Sequence, residues 1–414
     1  MRFGLIGRKL GHSYSKIIHE MIAPYSYDLI ELDPSELEHF IKEKNFKGIN
    51  VTIPYKTDII PYLDYIDPVA EKIGAVNTVV NKNGSLFGYN TDIIGLTELI
   101  TSIIPTLNGK KVLIAGSGGT SKTAAATVEG LGCDEFYIVG RSKRDGIIDY
   151  SEAYSIHSDA DVIINTTPLG MYPDFESTPF DLSKFNGLSG VVDVVYNPLR
   201  TSLVLQAQSL GIPAVSGLQM LISQAFAASE LFTDSRIKAS KKQVFDALSI
   251  EKLNIVLTGM PGSGKTTLGK LLSEHLGRNL VDVDEEIVKQ EGRPICEIFE
   301  KNGEEYFRRL ESDIIKKISR ELTGVIISTG GGAVLRGENI MNLKHNGRIV
   351  FINRPVEEIL PTSDRPLSSD KAMLQKRYDE RIDIYRSTAD VIINNSNKSP
   401  NEALNLIIQE LQIK

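Results

Sequence analysis

Short apolar runs, each about the length of a β-strand, alternate with amphipathic stretches along most of the chain. Phe3 to Ile6, Leu29 to Leu32, Ile49 to Ile53, Val76 to Val80, Val112 to Ala115, Phe136 to Val139, Val162 to Asn165 and Val191 to Val195 read as strands. The segments between them carry helical periodicity through residue 232. Strands and helices taking turns in this way predict an α/β fold. A further amphipathic stretch, Ile237 to Leu248, closes this first half, and Ser249 to Lys252 is expected to be a short linker. The same rhythm then resumes at smaller scale, with strands near Ile255, at Val325 to Ser328 and at Ile349 to Ile352.

A length of 414 residues predicts two or three domains, each large enough to bury a core. The formal net charge of −7 argues against a nucleic-acid partner, which would call for a basic face. No apolar run approaches the length of a membrane span and none follows residues 1 to 7 as a signal peptide would, so the expected location is cytoplasmic, with no membrane partner. Cys133 and Cys296 stand far apart in no metal-binding pattern, and both are expected to be buried, reduced and inert.

The first strand of the second half leads into Gly259-Met260-Pro261-Gly262-Ser263-Gly264-Lys265-Thr266-Thr267, a complete phosphate-binding loop. Its glycines let backbone N–H groups curl around phosphates, Lys265 reaches the β/γ oxygens and the Thr266 hydroxyl suits Mg²⁺. Gly262, Ser263, Gly264, Lys265, Thr266 and Thr267 are therefore the candidate ATP contacts. In the first half, Val112 to Ala115 leads into Gly116-Ser117-Gly118-Gly119-Thr120-Ser121, the glycine turn of a dinucleotide-binding unit. About 20 residues on, where an acidic residue would select NAD, stands Gly140-Arg141-Ser142-Lys143-Arg144. Three cations and no acid favour NADP(H), although a solvated basic turn would read the same way.

Other segments look chemical in combination. Lys56 lies one turn beyond a strand end, and Asp92 is expected at the N-cap of a helix; together they could pass a proton to a ketone oxygen, and apart they would be a surface lysine and a cap. In the second half Asp282 and Asp284 end a strand region, where alternate residues project to one side and could serve a metal and an acceptor hydroxyl. Arg308 offers a bidentate fork for a carboxylate. Gly330-Gly331-Gly332 allows close approach of backbone to an anion, Arg365 sits in a candidate lid, and Arg381 and Tyr385 share a later helix.

Gly11-His12-Ser13-Tyr14-Ser15, Asn50-Val51-Thr52-Ile53-Pro54-Tyr55-Lys56, Gly74 to Thr78, Gly88 to Asp92, the glycine turn, Asp193 to Pro198 and Gly217 to Gln224 follow one another as in shikimate dehydrogenases. Residues 1 to about 248 resemble that family throughout. The resemblance implies a two-lobed fold, with residues 1–101 plus 217–249 as substrate lobe and 102–216 as a Rossmann lobe for NADP. It also implies Lys56 and Asp92 as the catalytic pair, and Ser13, Ser15, Thr52, Asn77 and Gln224, with Tyr196 nearby, around the substrate. Gly217 and Met220 would pack on the nicotinamide and Thr166 would line the cofactor cleft. His12 is read as a structural hydrogen-bonder. Lys9 and Lys16 replace the family's prolines beside the serine segment, and Gly140 replaces its usual Asn.

Residues 252–414 resemble shikimate kinase, which implies a parallel α/β domain of the nucleoside-monophosphate-kinase kind. By that resemblance Asp284, Arg308, Gly331 and Arg381 hold shikimate, Phe299 and Phe307 form an apolar wall, Lys265 and Arg365 stabilise the transferring phosphoryl, and Thr266 and, through water, Asp282 hold Mg²⁺. The family's adenine-stacking arginine has no counterpart in Leu360 to Asp364. The combined expectation is a bifunctional enzyme taking 3-dehydroshikimate to shikimate with NADPH, then phosphorylating shikimate with ATP. A quinate reductase using NAD, or a scaffold with relict sites, are the alternatives.

Overall fold

The computed structural model describes residues 2–359 and 371–413. The chain divides into two compact units, Met1–Ala247 and Leu248–Lys414.

The first unit contains two six-stranded sheets. One has the order Tyr27–Glu31, Arg2–Gly7, Phe46–Val51, Thr78–Lys82, Ser85–Tyr89, Tyr65–Ile66. Its first three strands are parallel, and Thr78–Lys82 then pairs antiparallel to Phe46–Val51 and turns through Asn83 and Gly84 into Ser85–Tyr89. The Val76 run thus yields a strand that starts two residues later than its hydrophobicity suggests, because the Val76 N–H is spent on the Lys56 carbonyl.

The second sheet is wholly parallel, in the order Ala214–Val215, Gly190–Asp193, Val162–Asn165, Lys111–Ala115, Glu135–Gly140, Ile147–Asp149. The chain leaves Lys111–Ala115 in one direction and returns on its other side at Val162–Asn165. That reversal opens a crevice at the strand ends, the place where doubly wound sheets bind ligands. The glycine turn, Thr166 and the start of helix Gly119–Gly130 all stand there.

The second unit has one five-stranded parallel sheet, in the order Leu280–Asp282, Ile326–Ser328, Asn254–Thr258, Gly347–Asn353, Val391–Asn394. Buried Val, Ile and Leu on both faces of the three inner strands explain their continuous hydrophobicity. The phosphate-binding loop leaves the central strand and enters helix Lys265–Leu276. Among the described residues no helix is long and apolar enough to cross a membrane.

Two expectations need correction here. The supposed linker Ser249 to Lys252 is the last turn of helix Lys241–Lys252, which leaves only Leu253 before strand Asn254–Thr258. The Arg278 guanidinium donates to the carbonyls of Ile250 at 2.6 Å and Leu253 at 2.9 Å, so the helix end is satisfied by a distant side chain that local polarity could not announce. Cys296 is exposed, unlike buried Cys133: in the first turn of helix Ile295–Glu321 it faces away from the side that buries Ile298.

Candidate functional sites

In the first unit Lys56 follows strand Phe46–Val51 in a tight turn, where the Tyr55 N–H bonds the Thr52 carbonyl and the Thr52 N–H bonds that of Ile6. Its ammonium donates to Asp92 Oδ2 at 2.6 Å, and both side chains are largely shielded from solvent. Asp92 is the first residue of helix Asp92–Thr101, whose N-cap is Thr91, so the carboxylate faces the lysine instead of capping as expected. Thr91 is fixed in turn by Asn77, whose Oδ1 accepts the Thr91 N–H at 2.7 Å while its Nδ2 donates to Thr91 Oγ1 at 3.0 Å. Asn50 extends the network by donating to Thr78 Oγ1 at 3.0 Å. Neither Thr91 nor Asn50 was singled out from sequence as a support, although both lie inside the recognised segments.

Ser13 and Ser15 share a hydrogen bond of 3.1 Å between their hydroxyls. The Tyr196 phenol hydrogen-bonds the Ser13 side chain and the Tyr14 backbone, and burial pushes its pKa up. Thr52 is half-buried. Gln224 is buried on helix Leu218–Thr233 and donates to the Leu221 carbonyl at 2.8 Å. That helix lies close on Asp92–Thr101: a methyl on Gly95 would meet the Met220 carbonyl at 2.5 Å. Gly217 caps the same helix with its N–H on the Val195 carbonyl at 2.9 Å.

The dinucleotide turn approaches the same place. A methyl on Gly119 would stand 3.5 Å from Lys56 Cβ and 3.7 Å from its Cδ. Thr166 donates from Oγ1 to the Ala115 carbonyl at 2.6 Å, which fixes the strand end beside Gly116. Gly118 is the N-cap of helix Gly119–Gly130, with Thr120 in its first turn. Arg144 donates to Ser117 Oγ at 3.2 Å, so the basic turn does reach the glycine turn. Lys143 is held by Glu152 at 2.6 Å, while Arg141 and Ser142 are exposed. The exposed Arg144 guanidinium beside the glycine turn suits a phosphate monoester.

Asp193, read from sequence only as part of a motif, is fully buried at the end of its strand. It accepts from Thr201 Oγ1 at 2.7 Å, Asn165 Nδ2 at 2.9 Å and the Val195 N–H at 3.0 Å. Burial outweighs these bonds and lifts its pKa to about 7.

In the second unit the glycines of the phosphate-binding loop take the conformations the motif requires, with φ of +101° at Gly264. Lys265 is buried and donates to the carbonyls of Gly259 and Met260, each at 2.9 Å. Asn395 donates to the Ser263 carbonyl at 3.1 Å and holds the loop from the end of edge strand Val391–Asn394. The Thr266 hydroxyl donates to Asp282 Oδ2 at 3.3 Å. Asp282 caps helix Val283–Glu291, accepting from the N–H groups of Asp284 and Glu285. Asp284 is thus in the first turn of that helix, and strand alternation is not what separates the two carboxylates.

Around Asp284 the expected acceptor residues come together. Helix Ile295–Glu321 bends at Gly303 and carries Arg308, which pairs with Glu304 at 3.0 Å and Glu311 at 2.8 Å. A methyl on Gly332 would lie 2.3 Å from the Arg308 guanidinium, so a side chain there would displace it from its present place. A methyl on Gly330 would lie 2.6 Å from Glu311 Oε1 and 2.9 Å from Asp284 Oδ1. The Gly331 carbonyl accepts from Arg381 at 3.1 Å and from Tyr385. Phe299 and Phe307 pack with ring centroids 4.7 Å apart and planes tilted by 35°. Arg365 and the candidate lid lie outside the described residues. Glu311 went unassigned at sequence level; its spacing three residues after Arg308 was the available signal.

Comparison with known proteins finds relatives for both units. Residues 261–412 match the family model for shikimate kinase, and residues 5–79 match that for the shikimate dehydrogenase substrate binding domain. The chain is 38% identical over 256 residues to the shikimate dehydrogenase (NADP(+)) of Methanosphaera stadtmanae, covering 56% of this chain and 90% of that protein. Shikimate dehydrogenase 1 from Peptoclostridium difficile superposes with a TM-score of 0.57 at 34% identity, covering 60% of this chain and 98% of that one. The Thermus thermophilus shikimate 5-dehydrogenase, solved with NADP(H) and shikimate, gives a TM-score of 0.54 at 27% identity, covering 60% of this chain and 98% of that one. The chain therefore belongs to the shikimate dehydrogenase family over its first unit and carries a shikimate kinase domain in its second, an oxidoreductase fused to a phosphotransferase.

Proposed function

We propose that the first unit reduces 3-dehydroshikimate to shikimate with NADPH and that the second phosphorylates shikimate at its 3-hydroxyl with ATP. The observation that carries the first reaction is the shielded 2.6 Å contact of Lys56 with Asp92, next to Gly119 of the dinucleotide turn. NADPH supplies the hydride. As the carbonyl carbon receives it, the Lys56 ammonium gives a proton to the oxygen, and Asp92 keeps the lysine aimed. Ser13, Ser15, Thr52, Asn77, Tyr196 and Gln224 orient the ring through its hydroxyls and carboxylate, with Gly217 and Met220 beside the nicotinamide and Thr166 in the cofactor cleft. Residues 1–101 plus 217–249 form the substrate lobe in this reading and 102–216 the cofactor lobe. Arg141 and Arg144 favour the 2′-phosphate of NADP(H) over NAD.

In the domain spanning residues 252–414, Arg308 and Arg381 hold the substrate carboxylate while Asp284 takes the proton of the attacking hydroxyl. Lys265 steadies the transferring phosphoryl, and Arg365 does the same in the sequence reading. Thr266 and Asp282 are hard oxygen donors 3.3 Å apart, a set that fits Mg²⁺ holding the rest of its shell as water and phosphate. Free cysteines agree with a reducing, cytoplasmic setting.

A single assay with the purified chain, 3-dehydroshikimate, NADPH, Mg²⁺ and ATP tests both halves by following NADPH loss and shikimate 3-phosphate together. NADPH loss without phosphate transfer removes the kinase reading. Phosphorylation of added shikimate alone removes the reductase reading. Preference for NADH and quinate would replace it with the alternative oxidoreductase.

A further inference from the structure

Tyr172 comes from the loop that follows strand Val162–Asn165, yet its ring lies on His12 with centroids 4.1 Å apart and planes inclined by 49°. His12 immediately precedes Ser13 in the serine segment, which follows strand Arg2–Gly7 of the other sheet. The Tyr172 N–H donates to the Asn197 carbonyl at 3.0 Å, and Asn197 adjoins Tyr196. Tyr196 in turn hydrogen-bonds Ser13 and packs its ring 5.3 Å from that of Tyr14. Two tyrosines on two mutually pinned loops therefore grip consecutive residues of one segment.

The grip is anchored at both ends. The Tyr172 ring meets Phe175 edge-on at 6.0 Å, and Phe175 is fully buried. Upstream, Thr167 Oγ1 donates to Asn165 Oδ1 at 2.6 Å and accepts the Leu169 N–H at 3.2 Å, so the loop begins on the cofactor cleft. Tyr172 is half-buried and His12 is exposed, so their contact lies on the outer side of the serine segment.

We infer that Tyr172 is a positioning residue of the dehydrogenase site, its ring on His12 holding Ser13 and Ser15 in register for the substrate. The inference rests on the proposed role of those serines. The contact is complete before any bond changes, so it contributes equally to bound substrate and transition state and shows in KM instead of kcat. An aromatic pair of this kind corresponds to about a threefold to tenfold change in KM.

The test uses the full chain with Tyr172→Ala, Tyr172→Phe, His12→Ala and the double alanine variant. Initial rates of NADPH oxidation are measured against 3-dehydroshikimate at saturating NADPH, shikimate phosphorylation by the same preparations normalises the amount of chain, and the urea midpoint of the first unit reports that it is folded. The expected result is a raised KM with kcat within about twofold for Tyr172→Ala, wild-type behaviour for Tyr172→Phe, and a double variant no worse than the worse single one. Should Tyr172→Ala fail to fold, Tyr172→Leu, which keeps bulk without the ring, gives the same decision. An unchanged KM, a loss confined to kcat, or equal damage from Phe and Ala overturns the assignment of Tyr172 alone. No reduction by the unmodified chain overturns the functional reading with it.

Discussion

Lys56 and Asp92 lie 36 positions apart in sequence and meet at 2.6 Å. The contact exists because Phe46–Val51 and Thr78–Lys82 are neighbours in one sheet, and because Asn77 pins Thr91 at the start of the helix that carries Asp92. A lysine so held can give up a proton at a fixed point without reorganising.

Replacing Lys56 with Ala removes that proton donor. Reduction of 3-dehydroshikimate should fall by about 10²- to 10⁴-fold in kcat. Phosphorylation of shikimate should stay within about twofold, measured on the same preparation, because the two sites lie in separate compact units. Lys265→Ala should do the reverse, costing the kinase about a hundredfold or more and sparing the reductase.

Arg144 touches Ser117 of the glycine turn, and Arg141 lies exposed three residues before Arg144. Substituting both with Ala should lower kcat/KM for NADPH by about 10- to 100-fold, the loss of charge-assisted bonds to a phosphate, while NADH is affected little. Parallel loss with both cofactors would assign the turn to structure instead of selectivity.

Glu311 is completely buried and supports Arg308 at 2.8 Å. Burial raises its pKa, and Arg308 opposes that shift. Glu311→Ala leaves the buried guanidinium with the half-exposed Glu304 carboxylate as its partner, so the second unit should lose about 1 to 3 kcal/mol of stability, read from urea unfolding followed by kinase activity. A change below about 1 kcal/mol would mean that Glu304 or water replaces the carboxylate.

Asp193 binds its proton more tightly in the folded chain, where its pKa is lifted from 3.8 to about 7, than in the unfolded one. Its contribution therefore favours folding below about pH 4 and is lost as the pH climbs to about 7. Asp193→Asn, a neutral isostere able to keep the bonds from Val195 and Asn165, should remove this slope. Urea midpoints of the first unit at pH 5 and pH 8 should differ more for the unmodified chain than for the variant, and equal differences would contradict the buried-acid account.

Much of the fold was legible because strands buried on both faces are written as plain apolar runs. The exceptions have local causes. Edge strands such as Ile147–Asp149 and Ala214–Val215 are short and half-buried, so no run marks them. Helix Lys241–Lys252 outlasts its apolar stripe because Arg278, 25 residues beyond Leu253, satisfies its last carbonyls. Asp284 looked like a strand residue because the turn from strand to helix at Asp282 needs no glycine or proline, only the aspartate's own cap.

What the sequence determined by itself was the chemistry that neighbouring residues can build. A phosphate-binding loop or a dinucleotide turn needs successive backbone N–H groups and a helix start, all within about ten residues, so its composition is its geometry. Only the tertiary structure decided the partnerships between distant segments: Lys56 with Asp92, Arg308 with Glu311 beneath Gly330, and His12 under Tyr172. Those depend on which strands lie side by side and how close two helices approach. Such choices are made by burial and packing over the whole unit, and no single segment encodes them.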